Sequence, residues 1–346
     1  MRAGRGIGVA AALWLALSGP GLPCAFHTIA PERTAIDRIT QAQDLILARP
    51  GARNPFAFEV TEVLRGTADT PPPFLVSSED RRRLSLHPDE AVIFARGASG
   101  EWERVALLDT AFRPLLEQAR SWPAAYTDTR FATFAGLLDH PDPDIRRLAL
   151  QEIDKAPYPM LRSLRGRTPA AETLIAGLWT RDGYPYQSIH LLLLGLEGSD
   201  AARAEILRHF DDAARPGDDS RLGAFATALV ELDGAQGIAR LEQLYFADPA
   251  QPLTRVEQVV EALAIQSAAN PDQIAAPVGE AFDRLIAARP GAAAAIARQY
   301  AAREDWSQAE RLGRAVSEGR MTDSADLLSV AVYLARARAG APPDKG

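Results

Sequence analysis

The segment His140–Pro141–Asp142–Pro143–Asp144 runs directly into Ile145–Arg–Arg–Leu148–Ala149–Leu–Gln–Glu–Ile153, and a chain segment of this kind does not fold alone. Asp142 or Asp144 can accept hydrogen bonds from the free N–H groups of a helix start. Pro143 suits that first turn, because its fixed φ is already helical and its missing donor is not needed there. Ile145, Leu148, Ala149 and Ile153 then fall on one face. A helix this short keeps that face dry only against neighbours, so the segment predicts stacked helices.

The helical period persists from about residue 112 to the end. Phe112–Arg120, Thr127–Leu138, Asp144–Lys155 and Ala170–Trp179 open the series; Trp306–Glu318 and Ala325–Arg338 close it. Breaks at Pro157, Pro169, Gly183–Pro185, Gly198–Asp200, Gly234 and Asn270–Pro271 separate helix pairs at roughly 30 to 45 residues, the spacing of solenoid arrays. The stretch 140–153 resembles a HEAT-type (armadillo-type) repeat. That resemblance implies an α-solenoid over 119–338 with a long curved surface for partners. The alanine-rich last third, Val256–Arg338, equally resembles tetratricopeptide pairs, and both options imply helical hairpins. Ala339–Gly346 reads as a frayed tail.

Residues 26–118 follow a different period. Asp44–Arg49, Phe56–Leu64, Phe74–Ser77, Ala91–Arg96 and Trp102–Leu108 are short and rich in β-branched or aromatic residues, which predicts strands. Thr67–Pro73 makes a loop that a central strand could not tolerate, and Gly97–Gly100 reads as a hairpin turn. Ile36, Ile39 and Ala42 predict a short helix within Glu32–Ala42. The expected fold is therefore α+β with two domains: a small N-terminal β barrel or sandwich, then an all-α solenoid. The run Phe56–Ala–Phe–Glu–Val–Thr–Glu–Val–Leu–Arg–Gly66 resembles a strand of secreted bacterial domains similar to the netrin/tissue-inhibitor module, which implies an OB-like barrel. Animal members of that family depend on disulfides. This chain has Cys24 alone, so metalloprotease inhibition is not carried over.

The N-terminus reads as a cleaved export signal over 1–25. Arg2 and Arg5 precede an apolar run from Ile7 to Leu17, and Gly19–Pro20–Gly21 breaks it before small residues. The run is shorter than the roughly 20 residues of a membrane span. Cleavage between Gly21 and Ala25 would place the protein in a periplasm or outside the cell, whereas an uncleaved signal would tether it. Losing Arg2 and Arg5 takes the formal charge from −7 to −9. Such an acidic chain lacks the basic face that nucleic-acid binding requires.

No sequence motif carries chemistry. The five histidines, His27, His87, His140, His190 and His209, are scattered, with none of the paired spacing of a zinc site. There is no nucleophile elbow and no phosphate-binding loop, so no catalytic residue, metal or cofactor is assigned. The residues that point to binding are Arg81, Arg82 and Arg83, three guanidinium groups in an expected loop, and the aromatics Tyr158, Tyr184 and Tyr186 between helices. Trp122 and Tyr126 suit the seam between the two domains better. The expected role is non-catalytic: a helical-repeat surface holding a protein or peptide in the periplasm. The competing expectation is a cell-envelope hydrolase with Asp139, Asp182 and His190 converging in the groove between the domains.

Overall fold

The computed structural model describes residues 33–213 and 221–340, without the side chains of 211–213. The export signal, the end of the tail and the acidic pair Asp218–Asp219 lie outside the described residues. The N-terminal unit begins with helix α1 (Ala35–Thr40), capped by Thr34, whose hydroxyl accepts the Asp37 N–H while the Asp37 carboxylate accepts the Thr34 N–H. Strands β1 (Asp44–Pro50), β2 (Phe58–Arg65), β3 (Ala91–Arg96) and β4 (Trp102–Leu108) form one antiparallel sheet in the order β2-β1-β3-β4. Helix α2 (Ser78–Leu86) lies between β2 and β3 in the chain, and α3 (Arg113–Ala119) follows β4.

The sheet is open, and the expected barrel does not close. Four strands form instead of five. Phe74–Ser77 contributes only a single bridge, Leu75 to Ala57, because Pro71–Pro73 removes the donors a ladder would need just before it. Both faces are covered by other means. Ile46, Ala48, Phe58, Val92 and Phe94 pack beneath Val76 and Leu84 on one side. Leu45, Leu47, Ile93 and Ala95 join Ile36 and Ile39 on the other, and that second core runs without interruption into the helices as far as Tyr333. Arg65 at the end of β2 donates to the carbonyls of Ile39, Ala42 and Arg120, which ties α1 and α3 to the sheet edge.

The helical part starts with α4 (Asp128–Ala135), α5 (Pro143–Ile153) and α6 (Tyr158–Arg162). As its sequence predicts, α5 is capped by the Asp142 carboxylate and has Pro143 in its first turn. There follow α7 (Ala171–Leu178), α8 (Gln187–Glu197), α9 (Asp200–Ala213), α10 (Leu222–Asp233), α11 (Ala235–Leu241), α12 (Leu253–Ala269), α13 (Pro271–Ala288), α14 (Ala292–Ala302), α15 (Ala309–Ser317) and α16 (Ser324–Gly340). Helix α16 reaches into the expected tail. The even-numbered helices stack in chain order, α8 on α10, α12, α14 and α16, while α7 meets α9 and α11 meets α13 in a second layer. This is an array of stacked helical hairpins. Among the described residues no helix is long and apolar enough to cross a membrane.

Position in the array sets each helix's composition. Helix α10 is flanked by α8 and α12 in its own layer and by α9 and α11 in the other. All residues from Leu222 to Val230 are accordingly buried, so it carries no polar stripe. Close approach is achieved at Gly195 of α8, where an added Cβ would lie 2.8 Å from the Ala228 Cα. Gly195→Ala should therefore lower stability by about 1–3 kcal/mol through overpacking, despite its better helix propensity. A reduced midpoint in urea unfolding, with an unchanged slope, is the expected readout.

Candidate functional site

A cleft of about 380 Å³ opens where the sheet unit meets the first helices. Its floor is β4, through Val105, Ala106 and Leu107, continued by Ala111 and Phe112. One wall is the start of α1, with Arg33, Thr34, Ala35 and Arg38. The facing wall is α5, whose residues Asp144, Arg147, Leu148 and Gln151 recur at helical spacing on one side. Arg83 reaches the rim from α2. The lining thus combines an apolar floor with guanidinium groups around the mouth.

Each acid that lines the cleft has a partner, and the most exposed of them, Asp144, pairs with Arg147 one turn along α5 at 2.5 Å. Asp142 Oδ1 accepts the N–H groups of Asp144 (2.8 Å) and Ile145 (3.2 Å) as the cap of α5. Asp109 accepts the Phe112 N–H at 2.9 Å and Arg83 at 3.3 Å. Arg83 also pairs with Glu90 at 2.7 Å. Beside the cleft, Glu103 holds the lining arginines Arg33 and Arg38 through one oxygen each, at 2.9 and 3.0 Å.

Behind the cleft the two walls are joined by a buried ionic cluster. Arg130 of α4 is 1% exposed and donates from Nε to Glu152 of α5 and from Nη2 to Asp37 of α1, each at 2.6 Å. Lys155 bonds to Asp37, to Glu152 and to Thr34, whose hydroxyl in turn donates to Glu152. Tyr126 closes the group by donating to the Glu152 carbonyl at 2.7 Å, with Arg130 over its ring. Trp122 packs edge-on against Phe134 at 6.0 Å. Both aromatics lie in the seam, as their positions in the chain suggest. Burial pushes the Asp37 carboxyl up, but Lys155 and Arg130 more than reverse this and hold it at about 2.

The residues singled out from sequence are dispersed. Arg81–Arg83 lie on helix α2, not in a loop, because the Ser77 hydroxyl accepts the Asp80 N–H and starts a helix there. Helical rotation then sends Arg81 over the Phe56 ring at 4.8 Å, Arg82 into solvent and Arg83 to the cleft. Tyr158 is 4% exposed, with its hydroxyl donating to Glu231 at 2.9 Å and accepting from Gln266 at 2.9 Å. Burial removes it from any docking surface and makes α6 a strap across the ends of α10 and α12. Tyr184 is 65% exposed on a 3₁₀ turn. Tyr186 is half-buried, and its hydroxyl accepts from Gln151 of the cleft wall at 2.6 Å. Sequence reasoning missed the cleft arginines Arg33, Arg38 and Arg147 and, apart from Tyr126, the buried cluster. The one local signal for the latter was Glu152 and Lys155 at i, i+3.

None of Asp139, Asp182 and His190 lines the cleft. Asp139 and Asp182 are exposed on separate turns. His190 is buried between helices, its Nδ1 held at 2.8 Å from the Tyr186 carbonyl, and burial lowers its pKa so that the ring is neutral. Among the described residues, no three His, Cys, Asp or Glu side chains meet as metal ligands would.

Removing one partner of the buried cluster leaves charge uncompensated. Glu152→Gln should cost about 3–5 kcal/mol, more than replacing Arg130 and Glu152 together with apolar residues. The depressed Asp37 adds a pH dependence. Its contribution is complete above its ordinary 3.8 and disappears as pH falls toward about 2. An Asp37→Asn variant should lose less stability than the parent over that interval in urea titrations. Tyr158→Phe should lower stability by about 1–3 kcal/mol, the worth of a bond to a charged group.

Comparison of the chain with protein-family models, with curated proteins and with solved structures finds no match.

Proposed function

We propose that this chain is an exported, non-catalytic scaffold that holds a protein or peptide partner in the cleft between β4 and α5. In this reading the array is HEAT-like, the N-terminal unit is netrin-like in its strand pattern but open, and the first repeat helix supplies one wall of the binding site. The observation that carries it is the division of labour in the cleft. Of the acids that line the cleft, Asp109 and Asp142 accept backbone N–H groups and Asp144 pairs with Arg147, while the apolar floor lies open beneath a rim of arginines that are held in place by acids. Acid–base chemistry needs carboxylates poised toward a substrate. Binding needs apolar area bordered by a few directional donors, and arginine is among the residues that most often dominate such contacts.

The test is position-specific cross-linking in cells. A photoreactive residue replacing Gln151 should yield a discrete protein adduct, and the same group replacing the exposed Glu280 of α13 should not. The Gln151 adduct should disappear in an Ala35→Trp background, where the added ring fills the cleft. Equal labelling at both positions, or an adduct indifferent to Ala35→Trp, would overturn the cleft as the binding site. Mass analysis of the purified N-terminus tests export separately: a first residue from Leu22 to Ala25 is expected.

A further inference from the structure

The geometry points to an extended peptide segment as the occupant of the cleft, adding to β4 as a further strand and placing a carboxylate against Arg33 and Arg38. This rests on the binding role proposed above and specifies its mode. Strand β4 ends the sheet order and has β3 as its single neighbour. An edge strand turns alternate N–H and C=O groups outward with no ladder to receive them. Among the described residues, no backbone group of Trp102–Leu108 bonds to anything beyond β3.

The cleft runs along this edge rather than over a face. A strand face presents every second residue, yet Val105 and Ala106, packed on the α1 side of the sheet, and Leu107, packed on the α2 side, all line the cleft. Val105 is the extra residue of a bulge between the pairs Ile93–Ala106 and Phe94–Arg104, which turns the strand at that point. The opposite edge is guarded differently. Strand β2 carries Glu59, Glu62 and Arg65 along its length and two register shifts, whereas β4 keeps its charges, Glu103 and Arg104, at one end and leaves Val105–Leu108 uncharged. The open edge thus coincides with the cavity.

Size and charge select the ligand. At about 3.3 Å per residue the three floor residues span roughly 10 Å, enough for about three residues of an added strand. At the α1 end two guanidinium groups share the single Glu103 carboxylate. Arg33 Nη2 and both Nη atoms of Arg38 have no partner among the described residues, so an incoming carboxylate meets donors already in place.

The test uses the full chain and a displayed library of random dodecapeptides, counter-selected on Ala35→Trp. Enriched peptides should alternate apolar residues and carry a carboxylate. Synthetic copies ending in an acid or an amide then distinguish a terminal carboxylate from an acidic side chain. N-methylation of alternate peptide amides should weaken binding about fivefold or more in one register and little in the other, since each lost bond to the strand edge removes roughly one hydrogen bond. Arg38→Gln, which retains the cleft, should remove the preference for the carboxylate while the parent peptide still binds. No enrichment over Ala35→Trp, or affinity indifferent to N-methylation at every position, would overturn strand addition. Indifference to N-methylation combined with a Gln151 adduct in cells would leave cleft binding standing and remove only its strand-like mode.

Discussion

The guanidinium of Arg130 fixes the register in which the two halves of this molecule share their core. It sits almost without solvent between α1 of the sheet unit and α5 of the array, and its partners Asp37 and Glu152 come from one side each. Burying such charges costs several kcal/mol per ion unless every donor and acceptor is met. Here Lys155, Thr34 and Tyr126 satisfy the remaining positions. An apolar joint would tolerate sliding, but this one accepts a single register, because any displacement strands a charge. The cleft inherits that definition, since Thr34 and Ala35 stand on one side of the cluster and Gln151 on the other.

Much of the framework was legible in the chain. Strands β3 and β4 fall where their β-branched and aromatic residues predict them, and the Asp142–Pro143 start of α5 forms as its capping chemistry requires. What misled was local composition without a period. The segment Ser77–Leu86 buries only Asp80 and Leu84, so it shows no apolar stripe, and its helix is announced only by the cap at Ser77. Phe74–Ser77 looks strand-like from its side chains, but the prolines before it limit it to one bridge. The cleft itself could not be read, because its walls come from residues separated by more than a hundred positions in the chain. Nothing in the local sequence around Arg33 or Arg38 marks them as facing α5.

The helical array departs from an open curved sheet of rods at one place. Helix α6 lies across the ends of α10 and α12, fixed by Tyr158 and by Arg162, which reaches both Glu231 and the Ala269 carbonyl. Glu231 is buried, yet bonds from Tyr158 and Gln266 and the nearby Arg165 and Arg162 keep its pKa low and its charge intact. A tyrosine that looks like a partner anchor in sequence is thereby spent on holding the array to itself.

At the far end, α16 rests on α14 and α15, among the described residues no helix lies beyond it, and Leu328 and Val332 stand 65% and 47% exposed. In a linear stack each layer is stabilised by its neighbours, so the final layer has half the support of the middle ones. Backbone amides should therefore exchange with solvent in a gradient, fastest in α16 and slowest around α8 and α10. The molecule loosens from its C-terminal end inward while the opposite end, pinned by buried charge, stays shut.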